Sequence, residues 1–467
     1  MKKVKLAYCP TRRDVFSREE AIKFNETIRA QMNEFNVDIV DLDGINEEKL
    51  LYQDKDIPEI IERFSREKVD AIFFPHCNFG SENRVAQIAK ALNVPVLVWG
   101  PRDDYPDGEG LRSRDSQCGM FATGKVLRRH NIPFTYLTNS WIGSDDFKKG
   151  MEKFIRVASV VKSLKNLNIL QISTRPEPFC SVICNENELI EKFNVHLYPV
   201  TLNDLVLKME EVKKENSKDY IDTISFIKSV DPDGDDEKIS KVASLKVAMK
   251  ELANQYGCRA VAIQCWTSLQ DMADIMPCHA NALLTDDGIP VVCETDIHGA
   301  ITAIMMQALV LGETSPFFAD VTVRHPENDN GELLWHCGNF PYSLAKDKNT
   351  VKVGASRYHG DTYGIGEFEI KDGNLTIARF DGDHGEYSLL IGEAKTIEGP
   401  KNVGSYVWIE VDDWAKWEHK IVEGPYIHHV SGVYGNFGEI LFEACKYIPN
   451  LKPDILLSAE EIEKRWR

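Results

Sequence analysis

The sequence predicts an α/β protein: two doubly wound α/β units followed by a C-terminal antiparallel, barrel-like β domain. Two observations carry that reading. Short apolar runs alternate with amphipathic stretches through most of the chain, the signature of parallel strands covered by helices on both faces. After roughly Asn349 the apolar period shortens to two, the spacing of strands with one packed face. A length of 467 residues is too great for one ordinary core, and roughly 100 to 200 residues per domain suggests three. The expected domains are 1–165, 166–348 and 349–467.

Each element follows from local pattern. VKLAYCP is an apolar run stopped by Pro10, and EEAIKFNETIRAQMNEF after it has helical spacing. The alternation recurs in VDIVDLD and IPEIIERFSREK, then in AIFFPH and ENRVAQIAKALN, and continues into the strand VPVLVWG. In such sheets ligands sit beyond the carboxyl ends of strands, where Cys9 to Arg13, Pro75 to Asn78 and Trp99 to Arg102 would lie. A second cycle runs from LNILQIS through NENELIEKF, VHLYPVT, the long helix ISKVASLKVAMKELANQYG, AVAIQCW, IPVVCETD and AITAIMMQALVLG. Within it, Asp231 to Asp236 lack the glutamate and spacing of an EF-hand and read as a solvated loop. In the last domain Asp372-Gly373 joins the alternating runs of EFEIKDGNLTIARF, a hairpin signal, and YSLLIGEAKTI, YVWIEV and a final helix through EILFEACKYI follow.

Composition narrows the function. A net charge of −18 repels nucleic acid and anionic membranes, so a small, mostly neutral substrate fits better than either. No stretch approaches the ~20 apolar residues needed to span a bilayer, and the start lacks a signal-peptide core, so a cytoplasmic location is expected. The eleven cysteines form no CxxC pair and read as reduced thiols, mostly in the core.

Three stretches concentrate ionisable groups at the ends of apolar runs: VCETDIHGA from Val292, FFADVTVRHP from Phe317 and PYIHHVSGVYGN from Pro425. Glu294 and Asp296 directly follow a strand, where a catalytic acid would be placed, although both could instead cap the next helix. Asp320 sits at the tip of another apolar run. His428 and His429 are neighbours on an extended segment, so only one of them faces a given site.

Together these stretches resemble the L-fucose isomerase and L-arabinose isomerase superfamily. The resemblance spans about the last three hundred residues and extends more weakly to the first domain. It implies a metal-dependent aldose-ketose isomerase in which Glu294, Asp320 and His429 hold a divalent cation, Mn²⁺ with Mg²⁺ or Co²⁺ as alternatives, and in which Glu294 and Asp320 move the proton. A cation chelated by two sugar oxygens stabilises the enediolate of such a reaction. The arabinose isomerase pattern brings in His336, and His428 falls on a position next to the fucose isomerase ligand. Gln264 and Trp266, at a strand end, could meet a sugar, although Cys265-Trp266-Thr267-Ser268 lacks the acid of the related C-W-P-E stretch. The resemblance further implies a homotrimer or homohexamer, with Arg12, Arg13 and Trp99 reaching a neighbouring subunit's site. The substrate would be a pentose, hexose or modified hexose. A non-catalytic sugar-binding protein on the same fold, or a metal-dependent epimerase or lyase, are the rival readings.

Overall fold

Strand β1 (Val4–Tyr8) opens a five-stranded sheet with β2 (Val37–Val40), β3 (Ala71–Pro75), β4 (Val96–Trp99) and β5 (Thr135–Tyr136) in a computed structural model that describes residues 3–265, 267–356 and 360–466. The order is β2-β1-β3-β4-β5 and every pairing is parallel, as continuous apolar strands between amphipathic helices require. Ser17 caps the helix Arg18–Gln31 by accepting the Glu20 N–H at 3.2 Å, and Asn93, left-handed at φ 48°, ends Glu82–Leu92. Ala7, Phe64, Ile72, Phe74, Val98 and Leu127 belong to the core of this sheet. Residues 1–162 with 439–448 and 459–467 form this first compact unit.

The second unit comprises residues 163–438 and 449–458. Strands β6 (Asn168–Ile172), β7 (His196–Val200), β8 (Ala260–Ile263) and β9 (Val291–Val292) form a parallel sheet in the order β7-β6-β8-β9. Asp235 caps the long helix Asp236–Gln255, whose Val242, Leu245 and Met249 pack in one core with Leu170, Val261 and Ile263. The acidic loop before this helix is not wholly solvated, since Asp231 accepts a hydrogen bond from the Tyr363 hydroxyl at 2.7 Å.

A nine-stranded mixed sheet follows. Its strands are β10 (Phe317–Arg324), β11 (Gly331–His336), β12 (Lys352–Ser356), β13 (Thr362–Glu369), β14 (Asn374–Asp383), β15 (Glu386–Ile397), β16 (Ser405–Glu410), β17 (His429–Tyr434) and β18 (Leu451–Ile455). They run in the order β12-β13-β16-β11-β10-β17-β14-β15-β18, and β15 also pairs with β16. The parallel pairs β13–β16 and β15–β18 make this a mixed sheet where an antiparallel one was expected. It begins before the change of period near Asn349, because β10 and β11 are already members.

The Asp372-Gly373 hairpin does not form. β13 pairs with β12 and β16, whereas β14 pairs with β15 and β17. A local turn signal was outweighed by the long ladder between β14 and β15, in which Asn374 faces Lys395 and Asp383 faces Glu386. The tight turn lies instead at His384-Gly385, where φ values of 49° and 82° match a two-residue connection with both central residues left-handed.

Two histidines are buried for packing. His76 directly follows β3 with Nδ1 2.9 Å from the Phe79 carbonyl, and burial lowers its pKa to about 4. Burial lowers His279 to about 3. An unfolded histidine binds a proton near pH 6.5, so the unfolded chain takes up protons that the folded chain refuses. Stability from His76 is therefore complete above pH 6.5 and is lost as the pH falls toward about 4. Urea unfolding between pH 7.5 and 4.5 should show a decline that His76→Gln makes shallower by roughly 3 kcal/mol across that window. An identical slope in the variant would refute this.

Candidate functional site

The site grows from the carboxyl ends of β8 and β9. β9 runs straight into Cys293, Glu294, Thr295 and Asp296, and Asp296 caps the helix Ile297–Leu309 by accepting the Gly299 N–H at 2.9 Å. Glu294 and Thr295 are both left-handed, at φ 54° and 56°. For a β-branched threonine this conformation is strained, at about 1 to 3 kcal/mol per residue, and persists only where the surroundings impose it. They do so here: the Thr295 N–H donates to the Ile263 carbonyl at 3.1 Å and its hydroxyl to the Thr174 carbonyl at 3.1 Å. The first turn of the helix needs a glycine at position 299, because a Cβ there would lie 2.5 Å from Asp296 Oδ2.

The mixed sheet brings in the remaining groups. Antiparallel pairing of β10 with β17 sets Asp320 directly opposite His429. His429 Nε2 lies 3.4 Å from Asp320 Oδ1 and 3.9 Å from Glu294 Oε2, and His336 Nε2 lies 3.7 Å from the same Glu294 oxygen. Glu294 Oε2, Asp320 Oδ1 and His336 Nε2 are buried without a hydrogen-bond partner. Unpaired polar atoms are costly to bury, and a cation between the carboxylates and the His429 imidazole would satisfy those that accept. The donor set of oxygens and nitrogen therefore fits a hard divalent ion.

Asp296 is more than a cap. Both its oxygens face the Arg379 guanidinium, with Nη2 at 3.1 Å from Oδ1, and Oδ2 lies 2.9 Å from His429 Nδ1. Arg379 Nε also donates to Asp381 Oδ2 at 2.8 Å, and Asp381 Oδ1 lies 2.8 Å from His298 Nδ1. A buried chain thus runs His298, Asp381, Arg379, Asp296, His429. Burial would raise the Asp296 carboxyl, but Arg379 and His429 outweigh it and hold it far below the carboxylate range. Burial likewise opposes ionisation of His429, yet Asp296 and Asp320 raise its pKa. The Asp320 carboxyl is itself raised, first by burial, although its side chain is 19% exposed. His428 is lowered to about 4 by burial and by its neighbour His429.

The residues expected from sequence are distributed as follows. Glu294, Asp320, His336 and His429 converge. His428 is half-buried, with its ring 4.4 Å from that of His429. Gln264 follows β8, and its Oε1 accepts the Ser173 hydroxyl at 2.7 Å. Trp266 lies outside the described residues. Arg12, Arg13 and Trp99 belong to the first unit. There, Arg12 is buried against Glu48 (Nη2 to Oε1 3.0 Å), Arg13 pairs with Glu82, and Trp99 is fully buried with its ring 4.4 Å from Phe147. Arg379, Asp381 and His298 were not foreseen. The signal for Arg379 and Asp381 was present in LTIARFDGD, where these two opposite charges sit two residues apart, on one face of an otherwise apolar strand.

Glu294 from the end of a parallel strand, with Asp320, His336 and His429 from the mixed sheet, brings two carboxylates and two imidazoles to one buried point, the equipment of an acid–base enzyme able to accept a cation. Residues 7–165 match a family model described as fucose/sulfoquinovose isomerase, N-terminal domain, and residues 334–450 match one described as L-fucose isomerase, C-terminal domain. The sulfoquinovose isomerase of Priestia aryabhattai is 26% identical over 404 residues, covering 85% of this chain and 88% of the relative. That of Alkalicoccus urumqiensis is 27% identical over 337 residues, covering 71% and 73%. A D-allose-bound periplasmic solute-binding protein from Actinobacillus succinogenes aligns with a TM-score of 0.17 and 12% identity over 67% of this chain and 89% of that one, too weak to carry an argument. The chain belongs to the fucose isomerase-like family, and it is a sugar isomerase that interconverts aldose and ketose.

The Arg379 network should be a principal stabiliser of this region. Arg379→Met leaves Asp296 and Asp381 buried without their cation, and removing one partner of a buried pair costs about 3 to 5 kcal/mol. Urea unfolding should show that loss. An Arg379→Met chain as stable as its parent would contradict the assignment.

Proposed function

We propose that this enzyme isomerises sulfoquinovose, a glucose with a sulfonate at C6, to its ketose, using a divalent cation held by Glu294, Asp320 and His429. Mn²⁺ is the first choice and Mg²⁺ or Co²⁺ are alternatives. The observation that carries the metal site is the pair of unpartnered buried oxygens, Glu294 Oε2 and Asp320 Oδ1, facing His429 Nε2. The substrate rests on relatives, named sulfoquinovose isomerases, that align with most of the chain. Among the described residues no helix is long and apolar enough to cross a membrane, and a cytoplasmic setting is part of the reading. So is a homotrimer or homohexamer in which the first unit of one subunit, through half-buried Arg13 in preference to Arg12 or Trp99, meets the anionic substrate of another.

When bound, the cation supplies Lewis-acid stabilisation of the negative charge that develops on the sugar oxygens. The chain's own groups do the rest. Asp296 accepts the Nδ1 proton of His429 and so presents the Nε2 lone pair to the site. His336 is set the other way: its Nδ1 accepts the Cys337 N–H at 2.8 Å, which puts the ring proton on Nε2. In this reading His336 donates to a sugar oxygen and does not bind the cation. Glu294 and Asp320 carry out the proton transfers between C1 and C2 and between their oxygens, as general acid–base catalysts. Phe318, with its ring 5.0 Å from that of His429, and Phe179, at 6.3 Å, keep water from the reacting carbons.

The test is ketose formation from sulfoquinovose, fucose, arabinose and 6-deoxyhexoses in deuterated water, after chelation and with Mn²⁺ restored. Sulfoquinovose should turn over and exchange its C2 hydrogen only when Mn²⁺ is present. Turnover of fucose alone would overturn the substrate, and undiminished turnover in chelator would overturn the metal. Glu294→Gln and Asp320→Asn should each lower kcat at least about 10²-fold while melting near the parent temperature.

A further inference from the structure

Cysteines that are scattered in the sequence meet beside Glu294. Cys265 follows β8 and Cys293 follows β9, and because these parallel strands are neighbours, their carboxyl ends lie side by side. Cys278 opens the helix Cys278–Asp286 and borders Cys293 from outside the tighter group. The Cys265 and Cys293 sulfurs and a Glu294 carboxylate oxygen all lie within 4.8 Å of one another. Cys265 Sγ is 3.1 Å from Glu294 Oε1, and the Cys293 sulfur is hydrogen-bonded to the thiols of both Cys265 and Cys278. The three cysteines are buried and free. Two amides, Asn281 Nδ2 at 3.5 Å and Asn339 Nδ2 at 3.6 Å, donate to Cys293 Sγ, which therefore sits as an acceptor in a polar cradle within the protein interior.

We propose that Cys265, Cys293 and Glu294 Oε1 form a second cation site that takes a thiophilic divalent ion such as Zn²⁺ or Co²⁺, with Cys278 beside Cys293 as a further sulfur. Two sulfurs and one carboxylate oxygen, with a third sulfur next to Cys293, make a soft donor set of the kind Zn²⁺ prefers, unlike the oxygen-rich set on the other side of Glu294. Glu294 joins the two: Oε1 faces sulfur, and Oε2 faces the imidazoles of His336 and His429. Binding releases thiol protons to solvent. An ion on the sulfur side holds the carboxylate in place and draws off its basicity, so occupancy inhibits the isomerase. Binding itself stands apart from the proposed substrate and catalytic metal, and only the effect on turnover rests on that reading.

The experiment titrates the full chain, freed of metal by chelator and kept reduced with a phosphine, with Co²⁺ while near-ultraviolet absorption is recorded. A sulfur-to-cobalt charge-transfer band should grow to saturation at no more than two ions per chain, one for each site, disappear when Zn²⁺ is added, and be lost in Cys293→Ser. Cys265→Ser serves as the second variant, and circular dichroism melting shows which variants are folded. A folded parent chain that binds Co²⁺ without a sulfur band, or a band that survives in both folded variants, overturns the site. Zn²⁺ should also inhibit the Mn²⁺-loaded enzyme at concentrations that saturate the sulfur band, and turnover unaffected at those concentrations overturns the inhibitory coupling. Should sulfoquinovose prove not to be a substrate, the cobalt spectrum still decides whether the thiols bind metal.

Discussion

The fully buried pairing of Arg379 with Asp296 is the interaction on which the rest of the site depends. Neither charge could stay in the interior alone, since an isolated ion is far too costly to desolvate. Paired, they tie three elements together: Arg379 belongs to β14, Asp296 begins the helix Ile297–Leu309, and His429, on Asp296's other side, belongs to β17. The strained backbone of Glu294 and Thr295 lies directly before this anchor. Asp296 thus fixes one end of the left-handed turn, and the hydrogen bonds of Thr295 to Ile263 and Thr174 fix its middle. Glu294 then has little freedom in where its carboxylate points.

The same anchor explains how two histidines with one chemistry acquire two roles. Each ring is addressed through Nδ1, His429 by a carboxylate and His336 by a backbone N–H. The first partner accepts a proton and the second supplies one, so the two Nε2 atoms present opposite hydrogen-bonding character to the same Glu294 oxygen. Such outer contacts decide the tautomer, and with it which imidazole can give up a lone pair.

Much of this was legible in the sequence, for identifiable reasons. Parallel strands buried on both faces read as plain apolar runs, so β1, β3, β4, β6 and β8 were recognisable. Glu294, Asp320 and His429 were singled out by their resemblance to isomerase stretches, since alone a carboxylate there could cap a helix and a histidine pair could sit in a surface loop. Arg379 and Asp381 were hidden because polar residues at two-residue spacing in an alternating strand look like a solvated face. The Asp372-Gly373 turn misled because local signals are blind to ladders formed with distant strands. The thiol cluster was invisible for the same reason, since it arises from the adjacency of β8 and β9 and not from any spacing in the chain.

The place of β17 in the sheet bears on how the chain is made. It lies between β10 and β14, yet it is synthesised after both. On the ribosome, β10 and β14 therefore emerge with the edges that face each other unpaired, and exposed edges recruit other chains. Only when His429–Tyr434 arrive is the gap filled, and in that one event the two facing edges are paired and the site gains His429. Solubility and competence are thus acquired together, so a prematurely terminated product is expected to aggregate before it can accumulate as a soluble, inactive competitor for the sugar.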